Sequence, residues 1–333
     1  LKDTEIGGAK TGKFLFLSKQ QHNMSDLRSL IQAIREAEQH GPLFENEVLT
    51  GFSGKKFFGA LQRMARLLVT PEQCYLEVGV FQGLTLLSVA KVLENGMAYG
   101  VDNFAFFDPD HKNLNIVKDR MQKLGITNAV LINEDYEDAL ENLDQFLKGK
   151  KVGLYFVDGP HDYRSQLMCL MLIQPYLAEN CAIVIDDCDY QHVRQANRDF
   201  LQTFPEFKLV FEAYSPAHPH NLRGPELEEA RNGWWNGINI LVRDTKNEIV
   251  QSFPPTERSR TLFENDHTAH SAQFPAESPE ALRLLRALKT LQLHKALVFL
   301  IQALFSKSKV RGKFRSMNTF SDGLTKGRYA DME

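Results

Sequence analysis

From Cys74 onward the chain alternates short apolar runs of strand type with longer stretches whose apolar positions recur at helical spacing. The runs that read as strands are Tyr75–Val80, Ala98–Asp102, Val130–Asn133, Gly153–Asp158 and Ala182–Asp186. Between them, Leu84–Leu93, Leu114–Leu124, Tyr136–Leu147 and Tyr163–Leu177 carry helical patterns. Repeated units of this kind build a parallel sheet covered by helices on both faces. Right-handed crossovers leave a doubly wound sheet as the simplest closed arrangement. A helix over Gln191–Phe204 and two more strands, Lys208–Tyr214 and Gly237–Val242, complete the pattern. Only a loop holding Pro216, Pro219 and Pro225 and a short Glu226–Arg231 helix separate these strands, so they are expected to pair antiparallel. The expected fold is therefore α/β, with a mostly parallel, seven-stranded, doubly wound sheet whose last strand is antiparallel.

The flanks read differently. Residues 1–24 are polar and without period, a loose arm; Ser25 and Asp26 offer an N-cap to a helix over Leu27–His40, which Gly41-Pro42 ends. A second helix fits Lys55–Leu68. We expect an arm and helical cap over 1–71, a catalytic domain over 72–244, a polar linker over 245–280 and a C-terminal helix with a basic tail over 281–333. His267 and His270 fall in the linker and read as surface residues. The last helix, about Pro279–Phe305, interleaves leucines with Arg283, Arg286, Lys289 and Lys295. That pattern suits a membrane-surface anchor, or a helix packed on the domain or on a second subunit. Packing is the simpler expectation.

Composition narrows the function classes. With 333 residues, 43% hydrophobic and 24% charged, the chain can bury a sizeable core. A net charge of -3 lacks the basic footprint of a nucleic-acid binder and argues against nucleic acid as the main substrate. Cys74, Cys169, Cys181 and Cys188 form no CxxC pair and read as reduced thiols, which points to a cytoplasmic setting. No signal-peptide pattern and no membrane-length apolar run stands out. The chain opens on Leu1 rather than Met, as a processed or truncated start would.

The candidate chemistry lies at the carboxyl ends of the strands, where open α/β sheets bind ligands. The first strand runs into Glu77-Val-Gly79-Val-Phe-Gln-Gly83 and then a helix; the second ends at Asp102. A nicotinamide-dinucleotide site also places an acid there, but Glu77 stands where its GxGxxG fingerprint requires the first glycine. Glu77-x-Gly79-x-x-x-Gly83 with Asp102 resembles the first two motifs of class I S-adenosylmethionine-dependent methyltransferases, over roughly residues 72–244. The resemblance implies that Gly79 and Gly83 line the methionine part of S-adenosylmethionine, with Glu77 nearby, and that Asp102 holds the ribose. It places Asp135, or its neighbour Glu134, near the adenine; a helix N-terminus explains the same two acids.

The fourth strand ends in Asp158-Gly-Pro-His161 and the fifth in Asp186-Asp187. Three acids on neighbouring strand ends repel one another, and an all-oxygen set suits Mg²⁺ or Mn²⁺. The group resembles metal-dependent O-methyltransferases of the catechol type and, more closely, of the macrocin type. That resemblance implies metal ligands Asp158, Asp186 and Asp187, Asp158 also bordering the cofactor, with His161 as the base and a small hydroxylated acceptor. Three alternatives stay open: a metal-free methyltransferase with His161 as base, a NAD-linked oxidoreductase, and a non-enzymatic nucleoside-binding module. The loop Ser215–Trp235, with His218, His220, Arg223, Trp234 and Trp235, suits a substrate lid, or a solvated loop with its tryptophans in the core.

Overall fold

Successive side chains of a strand point to opposite faces of its sheet, so an apolar strand feeds two cores at once. The computed structural model describes residues 27–105, 107–258, 278–304 and 327–332. The expected N-terminal arm, His267, His270 and the basic run 307–315 lie outside the described residues.

In chain order the elements are α1 (27–40), α2 (Lys55–Leu68), β1 (Gln73–Val78), α3 (Leu84–Val92), β2 (Ala98–Val101) and α4 (Asn113–Leu124). Then come β3 (Ala129–Ile132), α5 (Tyr136–Glu141), α6 (Asp144–Leu147), β4 (Lys151–Val157), α7 (Tyr163–Leu172) and β5 (Leu177–Ile185). The remainder is α8 (Gln191–Thr203), β6 (Phe207–Ala213), α9 (Gly224–Asn232), β7 (Ile238–Arg243), α10 (Ser278–Lys289), α11 (Leu293–Leu304) and β8 (Arg328–Tyr329). The strands form one sheet in the order β3-β2-β1-β4-β5-β7-β6-β8. The first five are mutually parallel, and β7 lies antiparallel between β5 and β6, as the short connection predicts.

In β4, Leu154 and Phe156 enter a core shared with α1, α2 and α3, whereas Tyr155 and Val157 enter a second core under α5, α7 and α8. Leu30, Ile34 and Ala37 of α1 and Phe57, Leu61 and Met64 of α2 are buried in the first core. All four cysteines are free and buried. No described helix is long and apolar enough to cross a membrane.

Three expectations need correction. The sheet has eight strands rather than seven, because residues from the expected polar tail add β8 to the edge of β6. A two-residue strand has no readable period. It is held by Tyr329, whose ring packs 5.0 Å from Phe211 and under the Arg35 guanidinium, and whose hydroxyl donates to Glu38 at 2.6 Å. Arg328 pairs with the buried Glu212 beside it. The expected helix over 136–147 is two short ones. The C-terminal helix is also two, broken where Leu291 takes a left-handed φ of 54°.

Tyr329 therefore ties the C-terminus to α1 and β6. Tyr329→Ala should lower the unfolding free energy by about 1–3 kcal/mol, and Tyr329→Phe by about 1 kcal/mol. Urea titration of the two variants separates ring packing from the Glu38 hydrogen bond.

Candidate active site

Strand register assembles the site. Val78 of β1 stands opposite Val101 of β2 and Val157 of β4, and Val157 stands opposite Ile185 of β5. The next residue of each strand is consequently Gly79, Asp102, Asp158 and Asp186, all at one edge. Their amides continue the ladder: Gly79 donates to Val101 O (2.9 Å), Asp158 to Val78 O (2.9 Å) and Asp186 to Val157 O (3.0 Å). A cavity of about 860 Å³ opens on this edge, in the size range of ligand sites. Of the sequence candidates, Gly79, Asp102, Asp135, Asp158, His161, Asp186 and Asp187 line it.

Glu77 and Gly83 do not line it. The Glu77 side chain is fully buried, accepting from Tyr75 Oη (2.5 Å) and Thr85 Oγ1 (3.2 Å). Burial pushes its pKa up to about 8, so the carboxyl braces the turn from behind, largely neutral at pH 7. Gly83 caps α3 at φ 80° and packs toward Leu87 and Val117. Gly79 is a strict requirement: at φ 93°, any Cβ there would overlap the carbonyl of Asp158. The Asp102 carboxylate clamps the same turn. Its Oδ2 accepts from the amides of Val80 (2.9 Å) and Phe81 (2.8 Å), and its Oδ1 from Phe104 (2.6 Å). Asp135 is an N-cap, accepting from the Glu137 amide at 2.9 Å, which is the structural role the sequence also allowed.

At the other end of the edge, His161 Nε2 is 2.8 Å from Asp187 Oδ2 and 3.7 Å from Asp158 Oδ1. Asn236 Nδ2 donates to the second Asp187 oxygen at 2.7 Å, and the Asp187 amide donates to Asp186 Oδ1 at 2.7 Å. Burial opposes charge on both members of the His161–Asp187 pair, yet their mutual attraction outweighs it. The imidazole pKa is raised, with Asp186 and Asp162 adding to the effect. The Asp187 pKa is lowered, with His218 and Asn236 adding to His161. Asp158 and Asp186 go the other way, well above the ordinary carboxylate range, through burial and then the surrounding acids. Among the described residues, no three acid, histidine or cysteine side chains are arranged around a common metal position. Asp187 is turned instead toward His161 and Asn236.

Rings build the rest of the wall. His161, Tyr190, His218 and His220 follow one another at centroid spacings of 6.0, 5.9 and 4.9 Å. Phe52, 5.7 Å from His220, then stacks on Phe81 and Trp235. The expected lid loop thus supplies His218, His220, Arg223 and Trp235 to the cavity. Trp234 points the other way, 4.8 Å from Phe211 in the core. Phe52, Phe81, Tyr190 and Asn236 were not legible as site residues, since each sits alone among ordinary loop or turn neighbours. Phe81, Asp187 and Trp235 have φ of 49°, 55° and 55°. Backbone strain of this kind gathers at ligand sites.

Residues 76–188 match a family of proteins described as a methyltransferase domain. Over that span, about a third of its length, the chain is similar to a methyltransferase domain. The matched span begins in β1 and ends at Cys188, so it holds Gly79, Asp102 and the acid–histidine cluster but neither the N-terminal helices nor the lid loop. A comparison with curated proteins finds no match. Among solved structures, the chain is similar to an rRNA methylase from Streptococcus thermophilus, at 17% identity and TM-score 0.38, over 56% of this chain and 96% of that one. It is similar to an O-methyltransferase from Bacillus cereus in complex with SAH, at 13% identity and TM-score 0.42, over 66% and 91%. It is also similar to the O-methyltransferase TomG from Streptomyces achromogenes, involved in tomaymycin synthesis and solved with SAM, at 12% identity and TM-score 0.44, over 66% and 98%.

The two adjacent tryptophans make opposite predictions. Trp234→Ala should cost about 3–5 kcal/mol of stability, as core truncations do. Trp235→Ala should leave the melting temperature nearly unchanged while altering ligand binding in the cavity. Thermal unfolding of both variants, with and without a bound nucleoside, checks the pair.

Proposed function

We propose that the methyltransferase domain transfers a methyl group from S-adenosylmethionine to a hydroxyl of a small molecule, with His161 as general base. The observation that carries this reading is the placing of the His161–Asp187 pair and the Gly79–Phe81 turn on one cavity. The turn, with Asn103, Asp135 and Tyr136 beside it, suits a nucleoside sulfonium, and the ring-lined half suits an acceptor. Nε2 is committed to Asp187, so in the neutral ring Nδ1 is the basic nitrogen. The acceptor hydroxyl gives its proton to Nδ1 as its oxygen bonds to the methyl carbon. The carbon–sulfur bond breaks toward sulfur, leaving S-adenosylhomocysteine. Alignment in an enclosed cavity supplies much of the acceleration in such a displacement.

A divalent cation is a second reading, favoured by the raised pKa values of Asp158 and Asp186, which come from burial first and then from the neighbouring acids. The donor chemistry fits Mg²⁺ or Mn²⁺, which are bound through one or two carboxylates plus substrate and water. Asp158 and Asp186 would hold it, with Asp187 joining them only by leaving His161, and it would polarise the acceptor hydroxyl. The NAD-linked reading is weaker, because Glu77 fills the space behind the turn where the fingerprint glycine would stand. A purely binding module leaves the His161–Asp187 pair without a role.

S-adenosylhomocysteine should raise the melting temperature and NAD should not; stabilisation by NAD alone would overturn the cofactor assignment. Asp102→Ala should weaken S-adenosylhomocysteine binding by about 1–3 kcal/mol, as the turn loses its clamp.

With an acceptor found from a panel of diols, catechols and glycosides, His161→Ala should slow turnover on the order of 10²–10⁴-fold. Activity abolished by EDTA and restored by Mg²⁺ supports the cation; full activity in EDTA with the His161 defect intact keeps the base and rejects the metal.

The His161 pKa also has a measurable sign. Because the folded value is raised, the pair's stabilisation is full below the unfolded imidazole pKa and fades as pH rises through the folded one. Activity should grow over that same upper range, as the ring becomes neutral. An NMR titration of His161 should show the raised midpoint, and Asp187→Asn should bring it down; a midpoint unmoved by that substitution contradicts the pairing.

A further inference from the structure

Helices α10 and α11 pack on each other through their smallest residues. Ala287 and Ala296 are 5% and 4% exposed, and the Gln292 amide closes the turn on Ala287 O at 2.9 Å. The large apolar side chains face out. Leu285, Leu297 and Ile301 are 55%, 59% and 48% exposed, and Leu291 at the turn is 83% exposed. A helix pair that contributes to a water-soluble core does the reverse. The expectation that this segment packs its leucines on the domain is not met among the described residues. Contiguous exposed apolar surface of this kind marks an interaction site.

Charge identifies the partner. From Ser278 to Leu304 the single acid is Glu280 in the first turn of α10, while Arg283, Arg286, Lys289 and Lys295 are present. The whole chain carries -3, so this positive charge is local. A second copy of the hairpin would bring like charges together. A nucleic acid would use the cations and leave the leucines in water. A lipid surface with anionic headgroups satisfies both: apolar side chains enter the acyl boundary while Lys and Arg extend to the headgroups. Neither helix is long enough to span a bilayer, so the hairpin lies on it.

We propose that the α10–α11 hairpin is an interfacial anchor that seats the methyltransferase domain on an anionic membrane surface.

The test is co-sedimentation of the full chain with phosphatidylcholine vesicles, with and without phosphatidylserine. Binding should be about tenfold or more stronger with phosphatidylserine and should fall as salt rises. The variant Leu285→Glu, Leu297→Glu, Ile301→Glu should lose binding to both vesicles. Arg283→Glu with Lys289→Glu should lose only the phosphatidylserine preference. All five positions in the two variants are exposed, and an unchanged melting temperature with S-adenosylhomocysteine confirms that the domain is folded. Equal binding to both vesicle types, or binding untouched by the apolar variant, overturns the proposal. So does an oligomer abolished by the apolar variant in a chain that binds no vesicle, or binding to RNA with none to lipid.

Discussion

Everything at the candidate site depends on the shared register of β1, β2, β4 and β5. Each strand's last ladder bond is made by the residue that begins the following turn, which sets Gly79, Asp102, Asp158 and Asp186 side by side. The side-chain period of a strand is two, so a slip of one residue would send Asp158 into the second core and bring Val157 to the ligand edge. The alternation of Tyr155 and Val157 with Leu154 and Phe156 between two apolar cores forbids that slip. Core packing and the placing of these four strand-end residues are consequently one specification.

The same register creates an electrostatic problem. Glu77, Asp102, Asp158, Asp186 and Asp187 come within reach of one another at a largely buried edge. The fold answers in three ways. Burial raises the Glu77 pKa to about 8, so that carboxyl is mostly protonated near neutrality. Asp102 is met by three backbone amides. Asp187 is met by His161, His218 and Asn236 and is the acid of this cluster whose pKa falls. Asp158 and Asp186 are left buried with raised pKa values, and they are where the site has room for further positive charge. Environments that push neighbouring carboxyls apart in pKa are the usual sign of divided chemical roles.

The alternating pattern was legible because strands and helices of ordinary length carry a full period of apolar residues. The acid at each strand end was legible for the same reason, since it marks where an apolar run stops. That Glu77 and Gly83 lie off the cavity wall was not legible, because a motif gives residue types without direction. Glu77 points into the core beneath α3, and Gly83 serves the turn rather than the cavity. The ring wall was hidden because it draws single residues from five separate segments: Phe52, Phe81, Tyr190, His218 with His220, and Trp235. Trp234 and Trp235 could not be divided from sequence. Their split follows from the left-handed φ of Trp235, which reverses the chain just before β7. β8 was invisible because its stability comes from Tyr329 reaching Glu38, Arg35 and Phe211, all distant in sequence.

In the proposed reaction, the position of Asp187 suits it to the stage after proton transfer. Held between His161 Nε2 and Asn236, it lies away from Nδ1, the nitrogen that would receive a proton in that reaction, and would not relay one onward. What it meets is the charge of the ring after transfer. A neutral imidazole gains one hydrogen bond from this carboxylate; an imidazolium gains the bond and the full attraction of a buried opposite charge. The raised pKa of His161 and the lowered pKa of Asp187 are two measures of that difference. The pair therefore favours the state in which the acceptor has lost its proton. That preference has a cost, because a base with a raised pKa is partly protonated at rest. The Asp187 backbone is left-handed and its amide is tied to Asp186 Oδ1, with the carboxylate aimed at the ring. No reorganisation is then needed as charge develops, which is the condition under which a fixed charge contributes most to a transition state.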